Sequence, residues 1–129
     1  MNITLAPLRR KTIKLKNDNL TLQYNILRGR ENIGENLIEI ISGKTKILIE
    51  LGKALTDDNS LSSLEQTVIA TIYDAVIVSH YHANHAGIIK HKSDCPIYVG
   101  NNACRILDTI NEYQNHPKTQ RKNIKLIPI

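Results

Sequence analysis

Apolar and polar residues alternate over Thr12 to Lys16 and again over Leu20 to Leu27, with Asn17-Asp18-Asn19 between the two runs. Period-two alternation marks half-buried strands, and a short polar linker between two of them predicts a hairpin. RGRENIG, residues 28–34, reads as a Gly-bounded loop. Two more strands, Asn36 to Ile41 and Lys46 to Leu51, flank a turn at Ser42-Gly43-Lys44. The polar stretch KALTDDNSLSSLEQ predicts a loop with a helical turn near Ser62 to Thr67.

Beyond Asp74 the pattern changes. Ala75 to Ser79 is almost continuously apolar, as befits a central strand covered on both faces. His85 to Lys92 predicts a short helix, and Ile97 to Val99 another short strand. In NNACRILDTINEYQ the period becomes helical, with Ala103, Ile106, Leu107, Ile110 and Tyr113 on one stripe and Asn101 or Asn102 as N-cap. Pro117 breaks the helical pattern, and Ile124 to Ile127 forms a last strand. Strands come first and then alternate with helices, which predicts a mixed α/β (α+β) sandwich with helices covering a sheet. The chain closes on the apolar strand IKLIPI, so residues 1–129 are expected to form a single, partial domain.

Composition adjusts this picture in three ways. There is no Phe and no Trp, so Ile, Leu and Val must build the core. The net charge is +5, gathered at Arg9, Arg10, Lys11, Lys14 and Lys16 and again at Lys118, Arg121, Lys122 and Lys125. Such ends can neutralise phosphate, or simply form a solvated basic surface, and no aromatic residues are interleaved to stack bases. Cys95 and Cys104 lack metal-type CxxC spacing and read as reduced thiols, a single disulfide being the alternative. No apolar stretch approaches the roughly 20 residues of a membrane span. The basic N-terminus has no apolar core of a secretory signal, so no membrane association and a cytoplasmic location are expected.

The chemistry concentrates in SHYHANHAG, Ser79 to Gly87, directly after the apolar run. Neutral imidazole is the commonest nitrogen ligand of transition metals. His80 and His82 are two residues apart, which puts both rings on one side of an extended segment. His85 can swing back toward them, and Ala86-Gly87 permits close backbone approach. A chance cluster of surface histidines is the plain alternative, and the buried strand before the loop favours a site.

DAVIVSHYHANHAG resembles the signature loop of the metallo-β-lactamase superfamily, which places HxHxDH after a buried strand. ENLIEI (Glu35 to Ile40) and ILIELG (Ile47 to Gly52) resemble the paired strands that precede that loop. RGRENIGENLIE resembles the Gly-rich opening of the ribonuclease J-like nuclease branch, and DCPIYVG resembles the strand after the loop. The likeness runs from about residue 20 to about residue 112. It implies the N-terminal half of an αββα sandwich with one or two metal ions, zinc or alternatively manganese. It implies His80 and His82 as ligands of a first metal and His85 as ligand of a second.

Two positions depart from the family. Asn84 stands where the family has an aspartate that binds the second metal and orients the nucleophile, the expected catalytic position. Glu50 stands where it often has a supporting aspartate. A neutral amide is a poor substitute for carboxylate at zinc and takes no proton from water. The family's remaining ligands have no counterpart: His91 reads as a surface residue at a helix end, and His116 sits in a turn. The resemblance thus implies the N-terminal part of a metal-dependent hydrolase of phosphodiester or ester bonds, weak or inactive as it stands. The alternatives are a non-catalytic relative that binds nucleic acid or protein, and a plain structural domain. A homo-oligomer, or the remainder of a longer chain, is expected to complete it.

Overall fold

A computed structural model describes residues 11–14, 21–30, 35–54, 60–116 and 122–128. The expected Asn17–Asn19 hairpin linker, Pro117 and most of the two basic ends lie outside these residues. The strands are β1 (Lys11–Lys14), β2 (Thr21–Arg28), β3 (Leu37–Ser42), β4 (Thr45–Ile49), β5 (Ala75–Val78), β6 (Ile97–Gly100) and β7 (Ile124–Ile127). They form one seven-stranded sheet whose spatial order is the chain order. Pairing is antiparallel from β1 to β4 and parallel from β4 to β7.

Connection length explains the switch. β3 and β4 are joined by Gly43-Lys44, and Gly43 takes φ 58°, which a tight two-residue hairpin turn requires. Each parallel connection instead carries helix: α1 (Ser63–Ala70) before β5, α2 (Ala83–Ala86) and a 3₁₀ turn at Ile89–His91 before β6, and α3 (Asn101–Tyr113) before β7. This is the mixed sheet with helices that the sequence predicts.

Several local expectations are corrected. Ser62 to Thr67 is more than a turn: Ser62 Oγ accepts the Glu65 N–H at 3.2 Å, and Glu65 Oε2 accepts the Ser62 N–H at 2.7 Å. This capping box starts a two-turn helix. Burial raises the Glu65 pKa, but hydrogen bonds from Ser62 and Ala54 and the Arg28 charge outweigh it and hold the carboxyl below its ordinary value. His85 to Lys92 is broken at Gly87 into α2 and the 3₁₀ turn. The N-cap of α3 is Gly100, not Asn101 or Asn102. Its buried stripe is Ala103, Cys104 and Leu107, whereas Ile106 and Tyr113 are exposed. Cys95 and Cys104 are both buried and free.

The core lies on one face of the sheet. Leu37, Leu48, Val76, Val78, Ile97 and Val99 meet Val68, Ile88, Ile89 and Cys104 of the helical layer. The other face carries Ile26, Ile38, Ile49, Ile77 and Tyr98, directly opposite one another across five neighbouring strands. Ile26, Ile77 and Tyr98 remain 38%, 39% and 39% exposed. Among the described residues no helix is long and apolar enough to cross a membrane.

Two polar groups in the core are fully engaged. Glu39 accepts from Asn25 Nδ2 at 2.9 Å and from the Tyr73 hydroxyl at 3.1 Å. Burial, then the Glu39 charge, pushes the Tyr73 hydroxyl pKa well up. Lys92 is 1% exposed, and its Nζ donates to the carbonyls of Val68 (3.3 Å), Ile69 (2.9 Å) and Thr71 (2.5 Å) while pairing with Asp94 at 2.9 Å. It therefore caps the C-terminus of α1, where the helix dipole favours a cation. Lys92→Met should lower stability by about 2–3 kcal/mol, because charged hydrogen bonds are lost and the carbonyls stay buried. Urea denaturation checks this, and an unchanged midpoint would contradict the capping role.

Candidate metal centre

β4 and β5 run parallel, so their C-terminal ends lie side by side. Ligand sites in such sheets form at that edge. Here the chain after β4 is stitched to the histidine loop by main-chain hydrogen bonds. Glu50 N–H donates to Ile77 O at 2.8 Å, Leu51 N–H to His85 O at 2.7 Å, and Lys53 N–H to Ala83 O at 3.0 Å. Asn36 N–H donates to Asn84 O at 2.9 Å, and Gly52 N–H to Asn36 O at 3.1 Å. Three separate segments thus close on one another with almost no space between backbones.

Glu50 is not part of a strand: β4 stops at Ile49, and Glu50 takes φ 71°. A non-glycine residue in the left-handed region costs about 1–3 kcal/mol and persists where the surroundings enforce it. The residue is 6% exposed, and its Oε2 accepts the Ser79 N–H at 3.3 Å and lies 3.5 Å from His85 Nδ1. The backbone strain aims a carboxylate under the histidines.

The three imidazoles meet. His80 Nε2 and His82 Nδ1 are 3.1 Å apart, and the ring centres of His80 and His85 are 4.0 Å apart. Ser79 Oγ lies 2.8 Å from His80 Nδ1, which leaves Nε2 facing His82. Two nitrogens on one tetrahedral zinc, each at about 2.0–2.1 Å, are separated by roughly 3.3–3.4 Å. The His80 and His82 nitrogens, 3.1 Å apart, stand slightly closer than that, within hydrogen-bond distance of each other. His85 turns its ring nitrogens toward Asn36 Nδ2, 3.4 Å from each, and toward Glu50. Among the described residues no group of three or more His, Cys, Asp or Glu is arranged to hold a metal ion. The fit is therefore that of a two-nitrogen pair with a third imidazole alongside. Burial, then the neighbouring His85 and His82, holds the His80 pKa below its ordinary value against an opposing pull from Glu50.

Asn84 sits half-buried within α2. His91 ends the 3₁₀ turn and His116 lies just beyond α3, both exposed and neither in the cluster. Asn36, Ser79 and Gly52 are the participants that sequence reasoning missed. No spacing rule marks Asn36, which lies 49 residues before the histidine it contacts. Gly52 carries the clearest unused signal, a glycine directly after an apolar strand.

No family model matches the chain, and no curated protein does. Solved structures do. The dizinc quorum-quenching lactonase AidC in complex with its product aligns with TM-score 0.54 and 14% identity, over 92% of this chain and 60% of AidC. The chemotaxis sensor ODP, as a peroxy diiron species, aligns with TM-score 0.52 and 13% identity, over 92% of this chain and 45% of its own. This chain shares their fold and spans about half the length of each.

The geometry generates two expectations. A Cβ on Gly52 would collide with Asn84 O and lie 2.5 Å from Asn36 N and 2.7 Å from Glu35 C, all backbone atoms. Gly52→Ala should destabilise the protein by about 1–3 kcal/mol and shift the His85 ring resonances, read by denaturation and imidazole NMR. The second concerns pH. The stabilisation associated with neutral His80 is fully present above the unfolded value of about 6.5 and is lost as pH falls through its lower folded value. In metal-free buffer the melting temperature should drop between about pH 7.5 and pH 5, and His80→Gln should reduce that drop. Parallel curves for parent and variant would contradict it.

Proposed function

We propose that this chain forms part of a metal-dependent hydrolase in which His80 and His82 hold a zinc ion, with manganese as the alternative metal and His85 beside it for a second. The observation that carries the reading is the 3.1 Å approach of His80 Nε2 to His82 Nδ1 at the C-terminal edge of a parallel strand pair. When bound, zinc supplies a Lewis acid that polarises a carbonyl or phosphoryl oxygen and makes hydroxide available near neutral pH.

The chain's own residues then divide the work. Glu50 orients His85 and anchors Ser79 by accepting its N–H, so it positions the loop. The low pKa of His80 keeps a lone pair free for coordination. Asn84, at the expected catalytic position, supplies shape without charge, so the site is weak or inactive as it stands. The substrate class we favour is an ester or phosphodiester, with nucleic acid suggested by the net charge of +5 and the nuclease-like opening of the sequence. The basic ends suit the second reading, a non-catalytic module that binds nucleic acid or protein, and Lys122 and Lys125 are exposed there. The row from Ile26 to Tyr98 supports association with a second copy or with the remainder of a longer chain, since large apolar sheet faces seek cover.

The test uses the full-length protein. Zinc titrated calorimetrically into the metal-free form should bind, and His82→Ala should remove most of that binding. Asn84→Asp adds one negative charge and a proton acceptor, so turnover of a general phosphodiester or ester should rise by about 10²-fold or more. Equal turnover at equal metal content would clear Asn84. Affinity for nucleic acid without any turnover in either protein would favour the binding module.

A further inference from the structure

A cleft of about 490 Å³ opens between the histidine loop, the 3₁₀ turn and the C-terminal half of α3. Lys53, Lys90, His91 and His116 line it, and none of the described residues that line it is Asp or Glu. Ile89 and Leu107 supply apolar wall, and His82 forms part of the rim. Lys53, Lys90 and the two imidazoles come from separate stretches of sequence, yet they line one space. Partial burial, then the charge of Lys90, and more weakly that of Lys53, holds the His91 pKa down against an opposing pull from Glu65.

From this we infer that the cleft is a recognition site for a small amphipathic anion, with a phosphate or carboxylate head and a short apolar body. A concave site of this size that is mostly apolar, with a few convergent polar groups, suits a small molecule. With no carboxylate among the described lining residues, the cleft favours an anion over a cation. Lysines can meet the head as point charges, and protonatable imidazoles add donors. The apolar wall rewards a body that inorganic anions lack. Because His82 belongs to both the rim and the imidazole cluster, an occupant lies beside the position proposed for the metal. Recognition in the cleft requires no metal, so its test is independent of the hydrolase reading.

The intact protein, stripped of metal with chelator, is titrated calorimetrically with hexyl phosphate, hexanoate, inorganic phosphate and hexanol. Hexyl phosphate or hexanoate should bind at least tenfold more tightly than inorganic phosphate and than hexanol. The better of the two identifies the head. Lys90→Gln should weaken that binding at least fivefold with an unchanged melting temperature, and Lys53→Gln should weaken it as well. Zinc affinity should stay the same in both variants. Inorganic phosphate binding as well as hexyl phosphate would overturn the inference, as would identical affinities in parent and Lys90→Gln. Loss of zinc binding in His82→Ala with hexyl phosphate binding retained would support the inference by showing that the cleft and the metal centre are separable.

Discussion

Everything at the candidate centre depends on the backbone path from Glu50 to Lys53. Those four residues leave a strand, cross the mouth of the sheet and commit their main-chain hydrogen bonds to Ile77, His85, Asn36 and Ala83. Without them the histidine loop would be an ordinary exposed connection. With them, Ser79 to Ala86 is tied at several points to a rigid sheet, and imidazoles on a short loop acquire the precision usually reserved for regular elements. The close backbone approach restricts side-chain choice at Gly52, and elsewhere main-chain bonding leaves the side chains available for chemistry.

The path also explains the left-handed Glu50. The strand must turn sharply as soon as it passes Ile49, or its amides would miss their partners on the loop. The turn places a nearly buried carboxylate under the cluster. Strain and burial are both unfavourable alone, and both are held by the same set of backbone bonds. From this turned backbone the glutamate carboxylate reaches to 3.5 Å from His85 Nδ1 and 3.3 Å from the Ser79 amide nitrogen.

Much of the fold could be read from hydrophobic periodicity. The β2 to β4 region shows clean alternation, and the apolar run at Ala75 to Val78 marks the central parallel strand. Residue type and spacing mark the histidines, and the family resemblance alone marks Glu50. The rest is set partly by local capping inside a polar stretch and partly by contacts distant in sequence. Ser62 and Glu65 match a capping box, but the polar surroundings hid the two-turn helix beyond it. On α3 the buried stripe keeps Ala103 and Leu107 but takes in Cys104, a small side chain that packs against the core, and leaves out Ile106, a large one that does not. Asn36 gave no local sign of reaching His85, since that contact exists only after the sheet has formed.

Because strand order equals chain order, each strand joins the sheet beside the one made just before it. No strand has to wait for a later one to be inserted between it and its neighbour. The β3–β4 hairpin closes over two residues, whereas each parallel pairing from β4 to β7 must first close a longer, helix-bearing connection, and such non-local closures are slow. The histidine-bearing edge is thus the part of the sheet whose formation depends most on contacts distant in sequence.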